Sequence, residues 1–538
     1  MAGICQKWHG FCFPRSQDLI FLTEGGMEFI GALSAVFSLS VLGCTFLGTL
    51  VGIIAAAIPG FTILMAVILV FPFTFALPPL EGLSTLIGVY VGGFSGGQVA
   101  GILLGIPGTP SSICTVFDGY PMAKNGRAGE ALGLGIFSSF FGGLIGVLAL
   151  IFFIKPMADF GLKFGPWEIF SLVLFSLTLI ASLGGQSFFK GLLGGFLGLS
   201  LSVIGTDSTG GVLRFTFGLP QLEGGISLLP VLIGLFAIPH LIGAVTAQSA
   251  GSGMREAAGN AVLSSEELKI PYRKVFALLR ANWKNLVRSS LLGGFVGALP
   301  GEGGTVANFL SYDQAKRAAR PGEHFGSGEP AGVIASESSN NAVAGGSLIP
   351  TLALGIPGSA VMAVMLGVLM THSITPGPGL FRDEPQLVYG LFAALVIAHF
   401  FMLAIQLGAG NRVFLKIACV PAYLLVPVVL VMCAIGCYAL NNQLFDVWLF
   451  LGFGVVGYLL EKADFPLAPI VIGLILGGLC EENLRQALSA DPHVMPFFTR
   501  PISAAFFVLT VLSAVFCARQ SLKGRKGLKA MMTRAEDD

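Results

Sequence analysis

The chain has 538 residues, 54% hydrophobic and 11% charged, with a net charge of +1 and a mean hydropathy of +0.83. Ordinary soluble domains carry roughly 25% charged residues, so this composition excludes a water-soluble globule and points to a surface facing lipid. A net charge near zero gives no reason to expect a nucleic-acid partner.

Residues 1–26 are polar and aromatic, with Trp8, His9 and Arg15, and the apolar pattern starts at Met27. Glu24-Gly25-Gly26 reads as a translated purine-rich ribosome-binding site, so Met27 is the expected native start and 1–26 an N-terminal extension. Apolar segments follow at 29–58, 83–106, 131–154, 168–183, 188–204, 226–248, 286–299, 339–370, 387–409, 420–440, 444–460, 465–479 and 502–518. A helix needs about 20 such residues to cross a bilayer, so they predict an all-α integral membrane protein with about 10–12 crossings. Several segments are too short, or too interrupted by Pro and Gly, to be simple spans. They predict broken or re-entrant helices, buried in protein or lining a wet cavity, because hydrocarbon gives the backbone no partner. The 74 glycines sit inside these runs, where small residues let helices approach closely.

Residues 27–248 form a first membrane half and 286–518 a second. Between them, 249–285 is a basic loop with Arg255, Lys269, Arg273, Lys274, Arg280 and Lys284. The tail, 519–538, carries Arg519, Lys523, Arg525, Lys526, Lys529 and Arg534. The positive-inside rule puts both in the cytoplasm.

The halves repeat each other. The stretch from Gly52 to Pro59-Gly60 matches that from Gly293 to Pro300-Gly301, and LGIPG occurs at both 104–108 and 354–358, followed by Thr109 and Ser359. A polar insertion around 313–335 accounts for the unequal spacing. Loop 72–82 has no Lys or Arg, whereas its counterpart has Lys316, Arg317 and Arg320; loop 121–130 has Lys124 and Arg127, whereas 371–380 has none. Corresponding loops are thus expected on opposite sides of the membrane, the mark of an inverted repeat. A parallel duplication with chance loop charges is the alternative.

Pro-Gly inside an apolar segment stops a helix: Pro removes a donor and clashes with the preceding turn, and Gly lets the chain turn. Thr305–Ser311 is too short to span and reads as the return arm of a hairpin tipped by Pro300-Gly301. Broken helices leave N-terminal ends whose free N–H groups suit a carboxylate, and C-terminal carbonyls that suit Na⁺ or a proton carrier. The predicted substrate site is Pro107, Gly108, Thr109, Ser111 and Ser112 with Pro357, Gly358 and Ser359. Asn308, Glu337, Asn340 and Asn341 are candidates for the coupling ion or the substrate, and Pro59, Gly60, Pro300 and Gly301 for hinges. Glu337 at membrane depth would be functional by default; a loop residue capping a helix is the plainer alternative. Neither LGIPG motif holds Lys or Arg, so binding would rely on neutral donors and helix ends.

Other motifs carry less. Nine cysteines form no CxxC pair and six histidines no HxxxH pair, so no metal or redox device is expected. Asp118-Gly119-Tyr120-Pro121 reads as a turn at a helix end. Asp207, Arg214 and Glu223 lie in a polar connector with either a structural or a functional role. Gly93-Phe94-Ser95-Gly96 matches the nucleophile string of intramembrane serine proteases, with His240 or His399 as the base it would need.

Four stretches resemble the TctA family, the large membrane subunit of tripartite tricarboxylate transporters: GGFSGGQVAGILLGIPGTPSSICTVFDGYPMAKNGRAGEALG at 92–133, GTDSTGGVLRFTFGLPQLEGGI at 205–226, ESSNNAVAGGSLIPTLALGIPGSA at 337–360 and THSITPGPGLF at 371–381. The resemblance runs from about residue 27 to 518. Ala237-Ile238-Pro239-His240 departs from it where an acidic residue is usual. It implies a bacterial inner-membrane protein, no enzyme, with a small four-helix membrane subunit and a periplasmic solute-binding protein as partners. It also implies tri- or dicarboxylate substrates such as citrate, and uptake driven by an ion gradient. No GxxxxGK[ST] phosphate loop is present, and no cofactor beyond coupling Na⁺ or H⁺ is expected. A passive anion channel or a scaffold subunit is the main alternative; the serine protease is a remote one.

Overall fold

The computed structural model describes residues 31–537 except 33, 184–186, 208–209, 251–266, 300–302, 409–412 and 414–421. The N-terminal extension, much of the basic loop and the Pro300-Gly301 break therefore lie outside the described residues. The fold is helical throughout. Helices in the first half are α1 (Leu39–Ala57), α2 (Ile63–Thr74), α3 (Pro79–Leu104), α4 (Ile113–Met122), α5 (Ala128–Gly161), α6 (Pro166–Leu183), α7 (Phe188–Ser202) and α8 (Leu228–Ala250). The second half has α9 (Tyr272–Ala281), α10 (Trp283–Gly297), α11 (Gly303–Arg317), α12 (Pro330–Leu354), α13 (Ala360–Thr371), α14 (Pro385–Gly408), α15 (Ala422–Asn441), α16 (Leu444–Lys462), α17 (Ala468–Ala490) and α18 (Pro501–Asp537). Among the described residues the one strand pair is β1 (Gly205–Thr206) with β2 (Leu213–Arg214). Arg214 bonds Glu481 at 2.6 Å and Asp207 bonds Arg485 at 2.9 Å, tying this polar connector to the end of α17.

Among the described residues six helical stretches are long and apolar enough to span a membrane: α1, α3, the run Pro110–Gly161, α14, α16 and Pro501–Arg519. Six more apolar helices are shorter, among them α2 and α13. Their shortness has a cause in the sequence. For α2 and α13, each helix follows a Pro-Gly break, starts beside the middle of its half's long helix, and takes Thr62 or Ser359 as its N-cap, with the side chain accepting from Met65 or Met362 N–H.

Glycine sets the packing. A Cβ on Gly48 or Gly52 of α1 would be driven into the Thr85 or Val89 carbonyl of α3, and one on Gly293 of α10 into the Ser339 carbonyl of α12. Thus α1 lies parallel to α3, and α10 to α12, with backbones touching. Ile63 then lies against Gly93 and Thr74 against Gly82, so α2 runs back down α3. In the second half α11 runs back down α12, with Asn308 bonded to Ser336 and Tyr312 beside Gly332. Each half therefore opens with a hairpin that turns at the level of the middle of its long helix.

The long helices end alike. Gly105 and Gly355 close α3 and α12 in the left-handed region, at φ 72° and 70°, where glycine carries no Cβ penalty. The chain then doubles back, extended, so that the Gly108 N–H donates to the Gly97 carbonyl at 3.2 Å, and helix restarts beside the middle of α3. In the second half the Gly358 N–H meets Thr351 Oγ1 at 3.3 Å.

The halves interlock and are inverted. Tyr90 of α3 bonds Ser347 of α12 at 2.9 Å; further along α3, the Phe94 carbonyl accepts from Asn340, which comes earlier on α12. The two long helices thus cross antiparallel. Each also packs on a long helix of the other half, α3 on α14 through Ser95 and Gln406, and α12 on α5 through Gly142 and Ser338. The loop after α4 meets the loop after α11, where Arg127 donates to the Gly328 carbonyl. At the other end Phe75, after α2, stacks on His372, after α13, with centroids 6.0 Å apart. Corresponding loops therefore lie at opposite ends, and a parallel duplication would not place them so.

Candidate functional site

Four helix starts converge on one cavity of about 220 Å³ between the halves. Its wall takes Thr62, Ile63 and Leu64 from the start of α2, and Thr109, Pro110 and Ser111 from the turn that leads into α4. Gly303, Gly304 and Thr305 come from the start of α11, and Gly358, Ser359, Ala360 and Val361 from the start of α13. Tyr90, Phe94, Val343 and Ser347 of the crossing helices and His240 of α8 complete it. The first N–H groups of a helix have no partner within it, and each start is equivalent to roughly +0.5 charge. Four such starts gather here with no Lys or Arg on the wall. The one imidazole, His240, is fixed through Nδ1, 2.7 Å from the Phe236 carbonyl.

Of the predicted substrate residues, Thr109, Ser111, Gly358 and Ser359 line this cavity. Pro107 and Pro357 make the bends behind it. Gly108 sits where a Cβ would collide with the Ala56 carbonyl, so it lets the returning strand pass. Ser112 turns inward as part of a capping box, with Oγ donating to the Thr109 carbonyl at 2.9 Å. Pro59 and Gly60, with Gly60 at φ 85°, form the hairpin tip between α1 and α2; Pro300 and Gly301 are outside the described residues.

The polar run of α12 lies elsewhere. Glu337, Asn340 and Asn341 are fully buried in the helix and do not line the cavity. Asn340 Nδ2 holds the Phe94 carbonyl at 3.0 Å, bracing the cavity wall from behind. Asn308 of α11 accepts from Cys114 N–H at 3.0 Å and donates to the Ser336 carbonyl at 3.1 Å, joining α4, α11 and α12. Glu337 accepts from Thr115 of α4 at 2.5 Å and from Ser139 of α5 at 2.9 Å. Asp118, expected in a turn, is buried within α4. Its carboxylate takes the N–H groups of Gly326, Gly328 and Glu329 and the Tyr312 hydroxyl, and so pins the loop before α12. The turn comes later, at Gly126 with φ 72°.

Sequence reasoning did not place Tyr90, Thr62, Thr305, Ser347 or His240 at the site. The repeat could have pointed to Ser347, which occupies the place of Gly97 beside the break. In sequence Thr305 reads as part of a hairpin arm, and His240, from a helix outside the repeated unit, as a candidate base or a departure from the family pattern. The protease constellation does not form: Ser95 donates to Gln406 Oε1 at 3.1 Å and accepts from Gln98 at 2.9 Å, and no imidazole among the described residues bonds it.

Residues 42–472 match the profile of the tripartite tricarboxylate transporter TctA family. The chain belongs to that family. This TctA chain is also 33% identical over 498 residues to an Agrobacterium vitis protein described as an uncharacterized 52.8 kDa protein in the TAR-I ttuC′ 3′ region, covering 92% of this chain and 97% of that one. A second Agrobacterium vitis protein, from the TAR-II ttuC′ 3′ region, is 35% identical over 237 residues, covering 44% of this chain and 97% of its own length. No solved structure matches. The family is one of transporters rather than enzymes, and its members work with other subunits, so this TctA chain is the large multi-pass membrane subunit of a tripartite transporter.

Proposed function

We propose that this subunit moves small di- or tricarboxylates, citrate-like in size and charge, through the cavity at the four helix starts, driven by an ion gradient. The observation that carries this reading is the convergence itself: four N-terminal ends, two from each inverted half, around about 220 Å³. Carboxylates suit such ends, and an aqueous anion at the junction of inverted repeats can be exposed to either side by rocking one half on the other. Neutral donors keep affinity modest, which suits release.

The partners in this reading are a small four-helix membrane subunit and a periplasmic solute-binding protein that delivers the substrate. The setting is the bacterial inner membrane. The end holding Lys124, Arg127, Lys274, Lys316 and Arg320 faces the cytoplasm by the positive-inside rule, as does the basic C-terminal tail. No cofactor is needed beyond the coupling cation.

The test is counterflow in proteoliposomes holding the whole tripartite complex. Internal unlabelled citrate should accelerate entry of labelled citrate. Entry that is indifferent to the trans side marks a passive channel and rejects the reading.

A further inference from the structure

Glu337 is a buried carboxyl group with no countercharge. It is fully buried, and its side-chain partners are two hydroxyls, Thr115 Oγ1 and Ser139 Oγ. The charged and titratable groups nearby have contacts of their own, and His399 of α14 lies against Gly143 of α5, one turn from Ser139, with its Nδ1 held by the Leu395 carbonyl. Asp118 of α4 is held by loop amides and Tyr312 of α11, Glu130 of α5 pairs with Arg127 and Lys274, and Arg288 of α10 bonds Asn285. Tyr90 of α3 bonds Ser347, and Cys114 of α4 is a buried free thiol. No Lys, Arg or His among the described residues forms an ion pair with Glu337. An isolated charge in such a place is very costly, so the group must hold a cation or a proton.

The hydroxyl chain around it fits a proton. Thr115 Oγ1 lies 3.0 Å from Ser336 Oγ, and Ser336 Oγ donates to the Gly332 carbonyl at 3.0 Å. With Glu337 protonated, its O–H donates to Thr115, Thr115 to Ser336 and Ser336 to the carbonyl, while Ser139 donates to the other carboxyl oxygen. With Glu337 ionised, Thr115 rotates its O–H toward Oε1 and gives up its bond to Ser336, whose own O–H still donates to the Gly332 carbonyl. Neither protonation state leaves a hydroxyl proton without an acceptor or needs a heavy atom to move. The proton that leaves goes to water, and one of the two bonds from Thr115 to α12 goes with it.

The position links this group to the cavity. Thr115 is on α4 and Asn308 on α11, and the turn that leads into α4 and the start of α11 line the cavity wall. Both are tied at Ser336-Glu337 to α12, which reaches the cavity again at Val343 and Ser347, about 9 and about 15 Å along the helix from Glu337 at 1.5 Å per residue. We propose that Glu337 is the proton-binding site of this transporter: it takes up one proton per cycle, and its protonation state sets how firmly the cavity-facing helix α4 is held to α12. This rests on the carboxylate-uptake reading for its coupling, but not for the proton site.

Infrared difference spectroscopy of the complete complex in liposomes, stepped in pH, reads the site without substrate. A protonated-carboxyl band should titrate in the parent, be absent in Glu337→Gln, and ignore Na⁺ at fixed pH. A parent with no band that Glu337→Gln removes, or a band that Na⁺ abolishes at constant pH, overturns the proposal. The functional arm uses labelled citrate. A one-unit inward proton step should support about tenfold extra accumulation in the parent, the equivalent of one pH unit for one proton. Glu337→Gln, which keeps the neutral shape and hydrogen bonds, should exchange citrate but lose that extra accumulation. A Glu337→Gln protein that still accumulates like the parent overturns the proposal. If the parent exchanges no citrate, the uptake reading fails, and the infrared titration still decides the proton site.

Discussion

The long helices α3 and α12 are near copies in length, in their glycine ends and in how they pack, yet their middles have diverged. Where α12 carries Ser336, Glu337, Ser338, Ser339, Asn340 and Asn341, α3 carries Leu86, Ile87, Gly88, Val89, Tyr90 and Val91. The backbone is symmetric and the chemistry is not. The symmetric part, four helix starts about a pseudo-two-fold, makes the cavity. The asymmetric part puts the buried carboxyl group on one side alone. In the proposed reading, the duplicated frame binds substrate on its axis while a single off-axis group takes the proton.

Substitutions can break this comparison, and the largest effect should fall on the breaks. Gly108→Ala drives a Cβ into the Ala56 carbonyl backbone, whereas Gly358→Ala brings one to 3.0 Å from the Ser347 carbonyl. Uptake by inserted Gly108→Ala protein should be lost, and Gly358→Ala should keep a measurable fraction; equal loss would mean that the two breaks are equally tight. Next comes Asn308→Ala, which strands the Cys114 N–H and leaves the Ser336 carbonyl with the Ser339 hydroxyl. It should cost roughly 2 kcal/mol, seen as a lower midpoint of thermal unfolding in detergent. Val67, the corresponding residue on α2, should accept Ala with a smaller loss.

Thr109→Ala and Ser359→Ala each remove a cap at the cavity. Each should cost about 1 kcal/mol, or roughly fivefold in the citrate concentration for half-maximal uptake. Matching losses support a shared anion between the halves; an effect confined to one half would put the substrate there. The smallest expected effect is that of His240→Gln, which keeps a polar reach but cannot carry charge, and should raise that concentration a few-fold.

Much of the frame was legible in the sequence. The repeated LGIPG and Pro-Gly strings marked the helix breaks, and the loop charges marked the inversion, because Pro, Gly and Lys act locally and leave their mark in short strings. The lining of the cavity was only half legible. Thr109, Ser111, Gly358 and Ser359 follow a break directly, but Tyr90 and His240 reach the cavity through packing that joins distant segments. The same limit explains Asp118, whose string reads as a turn while its carboxylate is satisfied by a loop more than 200 residues away. Counting crossings is harder still, since α2, α11 and α13 start part-way across and polar α12 hides its side chains among other helices.

The most direct measurement is an electron cryomicroscopy map of the complete complex with and without citrate. The account predicts citrate density between the first turns of α2, α4, α11 and α13, within hydrogen-bonding reach of Thr109, Ser111 and Ser359, with Glu337 outside its contact shell. Density away from those four helix starts, or a citrate carboxylate bonded to Glu337, would contradict it.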